Sequence, residues 1–289
     1  MLSAGLLPVL LLDNGSFRPT SVLALRKTAD ALGDALGGRT VLPVSLQFSN
    51  SIAAAALGGR PAHTLREGLR SLTEQGERRV IVAPLFLGPS DSYSRGLSQC
   101  VAEFEAEGVS LAIHVGACLV DLAQPHDDRV ARALAALVRE VGEEKQLEQP
   151  LKVVVVDHGT PSPQVNAVRE RLTNDIRTLL GERASVVAAA SMERRDGAEY
   201  DFNEPLLENL LQTPPFQEGD VVLAMAFLQP GKHAGEGGDI AQIVERACHQ
   251  SPGLRVHSTP LLASQSLVLE VLRDRVLAAE ATNPAWQVH

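Results

Sequence analysis

The chain is written twice, and this duplication constrains the fold more than any single motif, because each signal in one half must be weighed against its counterpart in the other. Pro8-Val-Leu-Leu-Leu-Asp13-Asn14-Gly15-Ser16, followed by Pro19, returns 144 positions later as Lys152-Val-Val-Val-Val-Asp157-His158-Gly159-Thr160, followed by Pro163. Val82-Ala-Pro-Leu-Phe86-Leu87-Gly88-Pro89-Ser90-Asp91-Ser92 lines up with Leu223-Ala-Met-Ala-Phe227-Leu228-Gln229-Pro230-Gly231-Lys232-His233 at an offset of 141. Asp128-Arg129-Val130 and Asp274-Arg275-Val276 make a third match in the same order. The polar stretch from Gly142 to Pro150 reads as a linker. The expected domains are therefore a first copy over 1–145 and a second over 146–289.

Within each copy, strand-like and helix-like patterns alternate. Val153–Val156 and Val221–Ala226 are continuous apolar runs of the kind buried on both faces, whereas Val165–Leu180 and Asp239–Cys248 carry apolar residues at helical spacing. The first copy repeats the order, with strands near Val9–Leu12, Thr40–Leu46, Arg79–Ala83 and Leu111–Val115. Strands separated by helices imply a parallel sheet covered on both sides. The fold class is thus α/β: two tandem, similar, doubly wound parallel-sheet domains, expected to face one another across a central cleft. Ligands of such sheets sit outside the carboxyl ends of the strands.

Composition narrows the partners. The 289 residues are 45% apolar, enough for a substantial core, and 26 Lys+Arg against 35 Asp+Glu leave a net charge of -9. That balance lacks the electrostatic footprint of a nucleic-acid binder. The apolar segment Met1–Leu12 has no preceding Lys or Arg and no cleavage pattern, and reads as a buried strand rather than a targeting segment. No stretch reaches transmembrane length without charges, so no membrane partner is expected. Cys100, Cys118 and Cys248 are odd in number and widely spaced, which argues against a disulfide framework and for a reducing, cytoplasmic compartment.

Chemistry concentrates at the strand ends of the second copy. His158 follows the first strand, beside a glycine that permits a sharp turn. Glu193 ends the apolar run Ser185–Met192, and His233 follows the third strand in a glycine-dense loop. Two neutral imidazoles and a carboxylate suit Fe(II), Co(II), Ni(II) or Zn(II), and an imidazole also accepts protons near neutral pH. A lone His at a strand end is ordinarily a hydrogen-bonded structural residue. The comparison between copies weighs against that here, since the matching first-copy positions hold Asn14, Gln47 and Ser92, none a good ligand for these metals. The Gly235-Glu-Gly-Gly-Asp loop lacks the Lys-Ser/Thr end of a P-loop.

His158-Gly-Thr160, Glu193, and Phe227-Leu-Gln-Pro-Gly-Lys-His-Ala234 followed by Asp239-Ile240 resemble the class II tetrapyrrole chelatases. Within these, the resemblance is to the two-domain sirohydrochlorin cobaltochelatase/ferrochelatase (CbiX/SirB) type, and the run beginning at Pro84 looks like the first-copy counterpart of the third-strand motif. The resemblance implies a lyase of siroheme or cobalamin biosynthesis that inserts Co2+ or Fe2+ into sirohydrochlorin or a related tetrapyrrole without nucleotide hydrolysis. The divalent metal (Co2+, Fe2+ or Ni2+) would be a substrate, with no permanent cofactor. The partners implied are the tetrapyrrole and the metal ion, with the protein a monomer or homodimer. Carried over to this sequence, His158 and His233 would bind the incoming metal or take pyrrole protons, with Glu193 as ligand or proton acceptor and Thr160, Lys232 and Arg195 on the substrate. A non-catalytic metal or tetrapyrrole carrier of the same fold is the alternative.

The chain departs from the family pattern in two places. The two-domain sirohydrochlorin enzymes are expected to carry the histidines in the amino-terminal copy, whereas here they lie in the carboxyl-terminal one, a placement like that of the protoporphyrin ferrochelatases. An insertion, Arg194–Asn203, separates Glu193 from Glu204, leaving Glu204 as a rival carboxylate. Arg18, Arg194, Arg195 and Lys232 fall on strand-end loops where substrate carboxylates could be held. His63, His114, His126, His249, His257 and His289 read as structural or surface residues, and Trp286 and Tyr200 as too isolated for an aromatic platform.

Overall fold

The structure, a computed structural model, describes residues 6–288. The reading of Met1–Leu12 as a strand falls partly outside these residues, and that of His289 wholly so.

In the first unit, β1 (Val9–Asp13) is buried on both faces from Val9 to Leu12, as its unbroken aliphatic run predicts. It leads into α1 (Pro19–Ala35), which opens on a proline whose missing N–H is lost at no cost in the first turn. After β2 (Val41–Ser45), α2 (Leu65–Glu74) begins with a capping box: Glu67 N–H donates to Thr64 Oγ1 at 3.3 Å, and Thr64 N–H donates to the Glu67 carboxylate at 2.7 Å. β3 (Arg79–Pro84), α3 (Asp91–Ala106) and β4 (Leu111–Val115) follow. The four strands are parallel in the order β2-β1-β3-β4, the doubly wound arrangement.

The second unit begins with α4 (Arg129–Glu144), then β5 (Leu151–Asp157), α5 (Pro163–Leu180), β6 (Ala184–Ser191), the single turn α6 (Leu207–Leu210), β7 (Gly219–Met225), α7 (Asp239–Gln250) and β8 (Leu254–Ser258). Its sheet is parallel throughout, in the order β6-β5-β7-β8, the same winding as the first.

The chain ends with α8 (Ser266–Ala281) and β9 (Trp286–Val288). β9 pairs antiparallel with β4 and makes the first sheet five-stranded, a strand the alternating pattern did not disclose. Trp286, isolated in sequence, packs there against the first core.

The compact units depart from the halves 1–145 and 146–289. One comprises residues up to 121 together with those from 269 onward, and the other residues 122–268. α4, although written at the end of the first copy, packs on α5 and β7 and buries Val130, Leu134, Leu137, Val138 and Val141 on one face. The end of α8 is held in the first unit, where the His114 ring donates from Nδ1 to the Ala279 carbonyl at 3.1 Å and Arg39 pairs with Glu280 at 2.9 Å. The two helices stand at the same place in the repeat, and an apolar stripe on a helix does not say which sheet it covers. No helix among the described residues is long and apolar enough to cross a membrane. All three cysteines are free, and burial pushes the Cys100 and Cys118 thiols up to about 12.

Candidate active site

β5 delivers His158 to its carboxyl end, and Gly159 fixes what lies beside it. Gly159 has φ +88°, and a Cβ there would stand 1.9 Å from the Glu193 carbonyl oxygen, so only glycine lets the two loops touch. The touching backbones set Glu193 N–H on the His158 carbonyl at 3.1 Å and bring Glu193 Oε1 within 3.5 Å of His158 Nε2. The first unit repeats the device: Gly15 has φ +89°, and its Cβ would meet the Gln47 carbonyl at 1.8 Å. Asn14 and Gln47 therefore occupy the places of His158 and Glu193. Glu204, the rival carboxylate, is engaged elsewhere, pairing with Arg194 at 3.2 Å and accepting from Leu206 N–H at 2.9 Å.

His233 lies in the loop between β7 and α7 and is held by the start of that helix, its carbonyl accepting from Ile240 N–H at 3.1 Å. The rings of His158 and His233, 75 positions apart in sequence, meet edge to face with centroids 4.4 Å apart. Each has its Nδ1 committed. His158 Nδ1 is 3.0 Å from the Gly159 carbonyl and His233 Nδ1 is 2.7 Å from Asp239 Oδ2. Both partners are acceptors, so in each neutral ring the proton sits on Nδ1 and Nε2 carries the lone pair. Ligating histidines are oriented by this kind of contact. The His158 Nε2 lone pair faces the Glu193 carboxylate at 3.5 Å. Burial, followed by the neighbouring His158, holds His233 below the usual imidazole range against the opposing pull of Asp239.

The match that follows the third strand of each copy departs from the sequence alignment. Leu119 and Leu262 donate to Phe86 and Phe227 at 2.9 and 3.0 Å, so the copies agree up to that point. Beyond it, β3 reaches α3 at Asp91, whereas β7 reaches α7 only at Asp239. Ser92 is thus a first-turn helix residue rather than the counterpart of His233.

Beneath the loops lies a polar network that the sequence reading missed. Arg169, almost fully buried on α5, donates to Asp157 Oδ1 at 3.4 Å, to the Phe202 carbonyl at 3.1 Å and to Ser191 Oγ. Asn203 clasps Thr160, accepting from its N–H and donating to its carbonyl, both at 2.9 Å. Thr160 Oγ1 accepts from Ser162 N–H at 3.0 Å, so this residue shapes the loop. Nothing in a one-dimensional pattern marks Arg169, since a helix arginine reads as a surface cation. Asp239 stands in the quoted motif but carries no role until its contact with His233 is visible. Of the loop cations, Arg194 is spent on Asp201 and Glu204, Arg195 lies over the Tyr200 ring at 5.9 Å, and Lys232 is exposed. His114 and His257 are structural, the latter 2.8 Å from Asp220.

Among the described residues no group of three or more His, Cys, Asp or Glu side chains is disposed to hold a metal ion, so Glu193 stands beside the imidazole pair without closing a three-ligand cage. A cavity of about 900 Å3 beside edge strand β2, lined among others by Arg26, Val44 and His63, includes none of His158, Glu193 or His233.

A doubly wound parallel unit repeated in tandem, with paired imidazoles and carboxylates at the strand ends of one copy, defines a chelatase-like protein. The CbiX family model matches residues 8–141 and again 152–279, and the chain belongs to the CbiX family. Among solved structures it is similar to SirB from Bacillus subtilis with Fe3+, at 14% identity over 95% of each chain and a TM-score of 0.67. It is also similar to the sirohydrochlorin chelatase SirB from Bacillus subtilis subspecies spizizenii in complex with cobalt, at 14% identity over 98% of this chain and 99% of that one, TM-score 0.68. A third is DR2241 from Deinococcus radiodurans, a multi-domain protein with structural similarity to chelatases, at 19% identity over 94% of this chain but 55% of that one, TM-score 0.60. At these identities the likeness is one of fold. No curated protein sequence matches the chain.

Proposed function

We propose that this chain is a metal chelatase that inserts Co2+ or Fe2+ into sirohydrochlorin or a related tetrapyrrole, the metal being substrate. The observation that carries the reading is the pair of edge-to-face imidazoles, each with Nδ1 committed and Nε2 bearing its lone pair, beside Glu193. As the dication enters the macrocycle two pyrrole N–H bonds break and the two protons need acceptors. His158 and His233 take them at Nε2, and Glu193 assists as ligand or relay. A positioned base of this kind contributes ~10²–10⁴-fold. An open arrangement suits a metal that must pass through. Lys232, Arg195 and the Thr160 loop receive the substrate, the two cations pairing with its carboxylates. Membership in the CbiX family supports the assignment, as do the metal-bearing SirB structures of the same fold.

Both imidazoles come from one unit of one chain, so the site is assembled in a monomer or in each copy of a homodimer. Free thiols support a cytoplasmic setting. Incubating the purified protein with metal-free sirohydrochlorin and Co2+ tests the proposal: the absorption spectrum should change faster than without protein, and His158→Ala should abolish the acceleration. Stoichiometric binding with no gain in rate would identify a carrier instead.

A further inference from the structure

The seven phenylalanines, two tyrosines and one tryptophan are few for this length, and two of the phenylalanines stand exposed together. Phe17, after β1, is 66% exposed and Phe48, after β2, is 39% exposed, with ring centroids 4.6 Å apart and tilted by 35°. Phe48 has φ +67°, an outlier for a bulky side chain that persists only where the surroundings impose it. Here the surroundings are visible. Ser49, 1% exposed, ties the two loops by accepting from Ser16 N–H at 3.2 Å and donating to Ser45 Oγ at 2.9 Å, and Gly15 lies against the Gln47 backbone.

The repeat says what kind of place this is. The same two loops of the second unit bring His158 beside Glu193 and carry Pro161 and Arg194 where Phe17 and Phe48 stand. The first copy thus lacks the proton-handling groups at its strand ends and presents aromatic faces in a rigid frame. Resting on the chelatase reading, we propose that Phe17 and Phe48 form a platform on which the flat conjugated face of the tetrapyrrole stacks, with the adjoining Arg18 drawing a substrate carboxylate. Stacking on an aromatic face needs no hydrogen bonds and tolerates substituents at the macrocycle rim. Sequence reading set Trp286 and Tyr200 aside as too isolated for such a platform and did not mark Phe17 or Phe48, because isolated phenylalanines in a sequence ordinarily mark core.

The test titrates metal-free sirohydrochlorin, without added metal, into the full-length protein and reads absorption. Phe17→Ser, a change at an exposed loop tip, should raise Kd about tenfold, and Phe17→Ser/Phe48→Asn further, since Asn tolerates positive φ. Phe17→Trp should bind as tightly as wild type, and calorimetric Co2+ affinity should not change in any of these variants. The platform is overturned if Phe17→Ser binds within twofold of wild type while wild type still metallates the tetrapyrrole. It is equally overturned if sedimentation shows that Phe17→Ser abolishes self-association and leaves tetrapyrrole binding intact. A wild-type protein that neither binds nor metallates sirohydrochlorin would remove the chelatase reading itself, and the platform with it.

Discussion

With its Nδ1 proton directed at Asp239, His233 keeps its Nε2 lone pair down to a lower pH than a free imidazole would. Burial and His158 disfavour the charged ring and outweigh Asp239, which favours it. The acid limb of the chelatase rate should therefore lie below the ordinary histidine value of about 6.5. Asp239→Asn removes the favouring partner, so a pH–rate profile should show that limb moving further to acid, with the rate about 10–100-fold lower. An unmoved limb would mean that His233 does not accept the proton. Asp13 poses a different question in the first unit. Its counterpart Asp157 has Arg169 beside it, but the residue at the matching place on α1 is Leu25. Burial raises Asp13 from 3.8 to about 6, and its Oδ1 has no hydrogen-bond partner. The folded protein then binds a proton between these values that the unfolded chain does not. Asp13 accordingly lends stability below about pH 4 that is lost as pH rises through about 6. Asp13→Asn should gain about 1–3 kcal/mol in urea melts at pH 7 and nothing at pH 4.

The strand-end loops obey one rule in both copies, a glycine at positive φ pressed against the carbonyl of the neighbouring loop. Gly159→Ala should cost about 2–4 kcal/mol in a urea melt and reduce turnover beyond that loss, because moving the loop separates His158 from Glu193. This part of the site was legible in sequence: His158 and Glu193 stand directly beyond aliphatic runs whose character predicts buried parallel strands, and His233 lies in the loop that follows a third such run. Loop length was less legible. The offset that aligns Phe86 with Phe227 carries Ser92 onto His233 only if both copies make equal loops, and the second makes a longer one. Arg169 and Asn203 were not legible, since their importance lies in the hydrogen bonds they complete across elements far apart in sequence. β9 was equally hidden, three residues too short for any period to register.

At the scale of the whole molecule, α/β alternation and duplication were enough to predict two doubly wound sheets, because each aliphatic strand needs helices on both faces. The exchange of α4 and α8 escaped the same reasoning, which sees a stripe but not its partner. It carries a prediction about fragments. Residues 122–268 should unfold cooperatively on heating, followed by circular dichroism, whereas residues 146–289 should not. The latter lack α4 and leave bare the surface of α5 and β7 that Leu134 and Val138 cover. The exchange also sets a timetable. Synthesis proceeds from the amino end, yet the first unit needs residues 269–288, while the other lacks nothing once residue 268 has emerged. On the ribosome the later-numbered unit is therefore ready first, and the outer edge of β4 stays open until β9 has emerged to pair with it.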